Sequence, residues 1–169
     1  MINVCSLSKV EETVTRTGAQ RLLSLLAAGT EVTRPASIAA ANHLHLVMHD
    51  IAVAQDGMTM PGEEHVRALL DFAYRWDRVK PMVVHCYAGI SRSTASAYII
   101  AAALAPRRDE AELARTLRFL SPSATPNPRL IAVADTLLGR DGRMIAAVEA
   151  IGRGAEAFEG TPFELRIEA

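Results

Sequence analysis

The sequence predicts an α/β fold: a central parallel sheet of four or five strands with helices on both faces. Three observations carry this. Short β-rich apolar runs alternate with amphipathic helical segments through the first half of the 169-residue chain, the pattern of parallel strands joined by helical crossovers. One of these runs, Pro81-Met82-Val83-Val84-His85, leads straight into a glycine-containing loop at Cys86 and then into a helix. No repeat, low-complexity tract or linker interrupts the pattern, so residues 1–169 are expected to form one domain.

Taken in order, Ile2–Leu7 and Arg21–Leu26 read as short buried strands, with a polar helix over about Ser8–Thr17 between them. His43–His49 alternates around Leu44, Leu46 and Met48 and is a third strand. A loop with Asp56-Gly57 and Pro61-Gly62 follows. Val66, Leu69, Leu70, Ala73 and Trp76 then share one helical face, with charged residues opposite. After the strand at 81–85, Ser93 opens a helix that Pro106 stops. Asp109 with Glu112 makes a capping-box pattern ahead of Leu113, Leu117 and Leu120. Asn127-Pro128 sets a capping residue before a proline at the first helical position, and Gly139 closes that helix. A last helix covers about Arg143–Ile151, leaving a ragged tail over Thr161–Ala169. Ligands of such a sheet bind at the carboxyl ends of the strands, which is where Cys86 falls.

Composition narrows the class. Half of the residues are hydrophobic and only 5% aromatic, alanine supplying much of the apolar content, which suits closely packed helices. A net charge of −1 offers no electrostatic field for nucleic acid. Two cysteines, Cys5 and Cys86, cannot build a secreted disulfide framework. The N-terminus shows no signal-peptide pattern, and the longest apolar run, Ala95–Ala105, is too short for a membrane span. A cytoplasmic location is expected, without membrane partners, and there a reactive thiol survives.

The stretch His85-Cys86-Tyr87-Ala88-Gly89-Ile90-Ser91-Arg92-Ser93 carries the chemistry. A cysteine and an arginine with five residues between them can close a loop around one tetrahedral oxyanion. The N–H groups of Tyr87, Ala88, Gly89, Ile90 and Ser91 can converge on that anion, and Gly89 permits a backbone that a side chain would resist. The helix that follows turns its positive end on the same point, and Arg92 offers a planar fork for two phosphate oxygens. A helix N-terminus and a cation are the surroundings that turn a thiol into a nucleophilic thiolate. Ser93 can donate to the sulfur, and His85 can brace the loop from behind.

Val83–Thr94 resembles the signature loop of the protein tyrosine phosphatase superfamily: His-Cys, five residues, Arg, then Ser or Thr, with an Ala-Gly pair inside it at Ala88-Gly89. A looser likeness extends over about His43–Leu138, and the short chain is similar to the dual-specificity branch in its bacterial-type form. The resemblance implies a cysteine-dependent phosphatase with Cys86 as nucleophile, Arg92 and the loop amides as phosphate cradle, and Ser93 assisting the sulfur as leaving group. It implies no cofactor, and as partner a phosphorylated protein or peptide.

Phosphomonoester cleavage also needs an acid for the leaving oxygen, in the family an aspartate on a mobile loop upstream of the cysteine. Asp50 and Asp56 both qualify by spacing, 36 and 30 residues before Cys86. Asp50 is favoured because it directly follows the strand 43–49, and Asp56 stands as the alternative in a Gln55-Asp56-Gly57 turn. The Trp-Pro-Asp of the larger receptor-like tyrosine phosphatases is missing. Asn127 could position the phosphate loop or a water, although its capping role already accounts for it. His43, His45 and His49 share a strand face by parity, without a carboxylate or cysteine at metal-ligand spacing. Cys5 reads as core, with a protective disulfide to Cys86 as its other option. Tyr87, Ala88, Ile90 and Ser91 carry no positive charge, whereas lipid-directed relatives place lysines there, so phosphotyrosine, with phosphoserine and phosphothreonine beside it, is the expected substrate.

Overall fold

A computed structural model describes residues 1–168. Five strands form one sheet: β1 (Ile2–Ser6), β2 (Arg21–Leu26), β3 (His43–Val47), β4 (Met82–Cys86) and β5 (Phe163–Leu165), in the order β3-β2-β4-β1-β5. The first four run parallel, with Ile2 opposite Met82 and Leu22 opposite both Val83 and His43. Six helices accompany them: α1 (Val10–Thr17), α2 (Glu63–Tyr74), α3 (Arg92–Leu104), α4 (Glu110–Leu120), α5 (Pro128–Leu137) and α6 (Arg143–Ile151). None of the described helices is long and apolar enough to cross a membrane.

The two faces of the sheet are covered unequally. On one, Val10 and Val14 of α1 pack with Cys5, Leu22, Val83 and the loop residue Ile38. The other face carries the main core, and α3 lies at its centre. Every residue of α3 from Arg92 to Ala103 is buried. A helix apolar on all sides is buried on all sides, and here the alanines let α2, α4 and α5 approach it closely. At the start of α4, Asp109 accepts from the Glu112 N–H at 2.7 Å, a cap whose loss would cost about 1 kcal/mol. The second half of the expected capping box does not form, because Glu112 is drawn away to Arg108 and Thr116.

Three sequence expectations need correction. The sheet is not wholly parallel: the stretch assigned to a ragged tail contains β5, which pairs antiparallel with β1, Ile2 facing Leu165. Three residues are too few for alternation to declare a strand, and an antiparallel strand on the edge of a parallel sheet is common. The third strand stops at Val47 and not at His49. There the chain is pinched into a loop, His49 N–H donating to Thr59 O and Thr59 N–H to His49 Nδ1, at 2.8 and 2.9 Å. Thus His49 leaves the strand face it was expected to share with His43 and His45, whose rings stack in parallel. Finally, α2 ends at Tyr74, and Trp76 stays buried beyond it, its Nε1–H donating to Lys80 O.

Candidate active site at the end of β4

β4 is the central strand of the five, and its last residue, Cys86, is 3% exposed. From Cys86 the chain turns through residues 87–91 into the first turn of α3, which begins at Arg92, one residue before the predicted start. The Cys86 Sγ accepts from the Gly89 N–H at 3.3 Å and lies 3.2 Å from Ser93 Oγ. Gly89 has φ +74°, and a Cβ there would sit 2.8 Å from the backbone of Cys5 and Ser6. Glycine is therefore required twice over, by the left-handed backbone and by the close passage of β1.

The loop is inverted by what surrounds it. Its carbonyls are claimed from outside: Tyr87 O by Leu7 N–H at 3.0 Å, Ala88 O by Gly160 N–H at 2.8 Å, and Ile90 O by Thr125 N–H at 3.0 Å. Ser91 O accepts from the N–H groups of Ala95 and Asn127. With carbonyls turned outward, the amides between them turn inward, toward the sulfur, as Gly89 N–H shows. Arg92 is 7% exposed and spends one nitrogen on structure, Nη1 donating to Met48 O at 2.8 Å. Its Nε is buried and has no partner, an orphaned donor of the kind an oxyanion in the loop would satisfy.

His85 braces the loop from the α1 face. Burial pulls its imidazole down to about 4, so the ring is neutral near pH 7. The Cys86 carbonyl, 3.1 Å from Nδ1, can only accept, so Nδ1 carries the hydrogen. Nε2 then accepts from the Ser24 hydroxyl at 2.6 Å, and Ser24 Oγ in turn accepts from His43 Nε2–H at 2.8 Å. A directional chain thus crosses three strands and ends on the backbone of Cys86.

Of the two aspartate candidates, the structure brings Asp50 to the loop. Its Oδ1 accepts from Ser91 Oγ at 2.7 Å and from Asn127 Nδ2 at 2.8 Å, leaving Oδ2 as the oxygen for a proton or a water. Asp56 sits on an exposed turn closed by Met58 N–H to Gln55 O, beyond the pinch at His49 and Thr59. Asn127 caps α5 as expected and makes further contacts. Its Oδ1 caps α5 by accepting from Arg129 and Leu130 N–H, its backbone supports Ser91, and its Nδ2 holds Asp50. Cys5 belongs to the core cluster on the α1 face, whereas Cys86 belongs to the cluster on the other face. Both cysteines are free, and burial pushes the Cys5 thiol up to about 11. Sequence reasoning missed the anchors contributed by Met48, Ser24, His43, Thr125 and Gly160, none of which carries a local signal.

No family model and no curated protein matches the sequence. Solved structures do match. DUSP15 superimposes with a TM-score of 0.62 at 16% identity, over 88% of this chain and 90% of that one. PTPMT1 in complex with PI(5)P gives 0.64 at 12% identity, over 89% and 94%. The PTP-2 phosphatase of Cydia pomonella gives 0.62 at 15% identity, over 80% and 84%. At these identities the likeness is one of fold, and the fold is that of the dual-specificity and tyrosine phosphatases.

Proposed function

We propose that the chain, acting as one domain, is a cysteine-dependent phosphatase that hydrolyses phosphotyrosine, and phosphoserine or phosphothreonine beside it, in a reducing cytoplasm. The observation that carries this is the meeting, in one loop, of the buried Cys86 sulfur, the Gly89 amide turned onto it and the buried, unpartnered Nε of Arg92. Donors so arranged suit a phosphate dianion and the charge that develops on it.

The reaction runs in two steps. The Cys86 thiolate attacks phosphorus, the bond from phosphorus to the leaving oxygen breaks, and Asp50 gives that oxygen its proton. Water then attacks the cysteinyl-phosphate, Asp50 takes the proton, and the sulfur leaves with Ser93 Oγ, 3.2 Å away, donating to it. Inorganic phosphate departs, and the cycle closes. Arg92 and the loop amides hold the equatorial oxygens throughout, and Asn127 and Ser91 hold Asp50 above them.

The phosphoinositide in the PTPMT1 complex poses a substrate alternative. Against it, the loop side chains of Tyr87, Ala88, Ile90 and Ser91 offer no cation for a second phosphate, and each missing charge-assisted hydrogen bond forgoes about 1.5–3 kcal/mol. Purified protein is expected to hydrolyse a chromogenic aryl phosphate, with kcat/KM highest on phosphotyrosine peptides, lower on phosphoserine peptides and lowest on soluble inositol phosphates. Binding of phosphopeptide without hydrolysis would make the chain a catalytically silent recognition module. A preference for inositol phosphates would overturn the substrate class and leave the chemistry intact.

A further inference from the structure

After α6 the chain runs back along the carbonyl side of the phosphate loop before reaching β5. Residues 152–160 form a strap pinned along its length. Gly154 N–H donates to Thr125 Oγ1 at 3.1 Å, Ala155 N–H to Pro122 O at 2.9 Å, and Gly160 N–H to Ala88 O at 2.8 Å. The Glu159 carboxylate accepts from the hydroxyls of Ser6 and Ser8. Gly160 is buried so closely on the loop that a Cβ there would lie 2.7 Å from Gly89 O. Between these pins the side chain of Phe158 is wholly exposed, at 104%.

Phe158 contributes nothing to the core, yet it lines two clefts at once. One, of about 750 Å³, includes Asp50, Ile90 and Ser91, and its apolar wall comes from Pro126 and Val148. The other, of about 430 Å³, is lined by Leu7, Tyr87, Ala88 and Glu159. The ring therefore stands as a divider beside the loop, with the acid on one side and Tyr87 on the other. No step of the proposed reaction uses it.

We infer that Phe158 is a specificity-determining residue whose ring packs against the aromatic ring of a phosphotyrosine side chain seated in the loop, the two clefts receiving the chain on either side. The inference rests on the proposed function for its phosphorylated substrate. With the phosphate held by Arg92 and the amides, the leaving oxygen meets Asp50, and whatever it carries enters the cleft that Asp50 and Phe158 line together. An aryl group there gains an aromatic partner, in offset or edge-to-face contact, whereas the methylene of phosphoserine has no ring to offer. The pins matter as much as the ring, because a preformed wall is not ordered at the expense of binding.

The test is binding to the Cys86→Ser protein, which needs no turnover. Dissociation constants for a phosphotyrosine peptide and its phosphoserine counterpart are compared with Phe158 intact, with Phe158→Ala and with Phe158→Tyr. Phe158→Ala is expected to weaken the phosphotyrosine peptide roughly three- to tenfold and the phosphoserine peptide less than twofold. Phe158→Tyr restores the difference, and Tm does not move, since the ring buries nothing. Equal weakening of both peptides, no weakening of the phosphotyrosine peptide, or no binding of it by the Cys86→Ser protein would overturn the inference. If the unmutated protein hydrolysed no aryl phosphate while the binding difference persisted, the proposed hydrolysis would fall and the role of Phe158 would stand.

Discussion

Around Cys86 the backbone is fixed from outside by Leu7 just after β1, by the strap and by the segment before α5, each holding a loop carbonyl. Across the mouth, residues 52–59 are exposed, and the loop they form is closed at its neck by His49 and Thr59. Asp50, near that neck, is held by two side chains, Ser91 and Asn127. The difference matches the two tasks. A phosphate keeps its charge through both steps, so its donors are best immobile. An acid that must later act as a base needs freedom at one oxygen, and loops with few buried contacts are those that move. Arg92 joins the regions: its Nη1 ties Met48 O at the start of the Asp50 segment, and its buried Nε is unpartnered.

The hardest test of the rigid half is Cys86→Ser, expected to lower kcat by roughly 10⁴-fold or more while phosphopeptide binding survives. Substantial residual turnover in that variant would remove the sulfur from the mechanism. Arg92→Lys should cost on the order of 10³-fold, because an ammonium cannot both tie Met48 O and present a planar fork. Rates near the unmutated value would show that the fork is not what holds the phosphate. On the exposed half, Asp50→Asn should slow poor leaving groups by roughly 10²–10⁴-fold and flatten the basic limb of the pH profile, with Asp56→Asn within twofold. The reverse result would move the acid to the exposed turn and dissolve the contrast drawn above.

Asn127→Ser sharpens the comparison, since serine can still cap α5 and lacks the amide that donates to Asp50 and Ile51 O. Folding stability should fall by about 1 kcal/mol, while turnover of poor leaving groups falls roughly tenfold. A lower stability with an unchanged rate would make Asn127 a cap and nothing more. The smallest expected effect lies beneath the rigid half, at His85. Its folded value, about 4, is below the unfolded 6.5, so between those values the unfolded chain binds the extra proton and stability rises with pH. Urea unfolding should find the protein about 2 kcal/mol less stable at pH 5 than at pH 7 from this group. A flat profile would mean that His85 titrates normally and that burial does not hold it neutral.

What the sequence revealed of the site was its contiguous part. His85 to Ser93 lies on one strand, one loop and one helix, and local spacing specifies all of it. Asp50 was favoured for its position after a strand; the strand ends earlier than supposed, and Asp50 lies against Ser91 of the loop. The hold of Asn127 on Asp50 spans 77 residues, and no periodicity encodes which residue an exposed carboxylate will meet. The face on which Cys5 lies follows from its register with His85, which parity within one strand does not supply. The same holds for β5, whose three residues become a strand only because the edge of β1 is open to them.

The contact of Glu159 with Ser6 closes 153 residues of chain, and this bears on the order in which the molecule assembles. The strand, loop and helix from 82 to 104 are neighbours in sequence and can meet early, whereas the strap and β5 reach their places only after nearly the whole chain has been drawn together. Contacts of such separation are the slow ones, since entropy is surrendered before they reward it. The loop is therefore outlined within a short segment and braced from residues far along the chain, so that its final geometry is tied to completion of the fold.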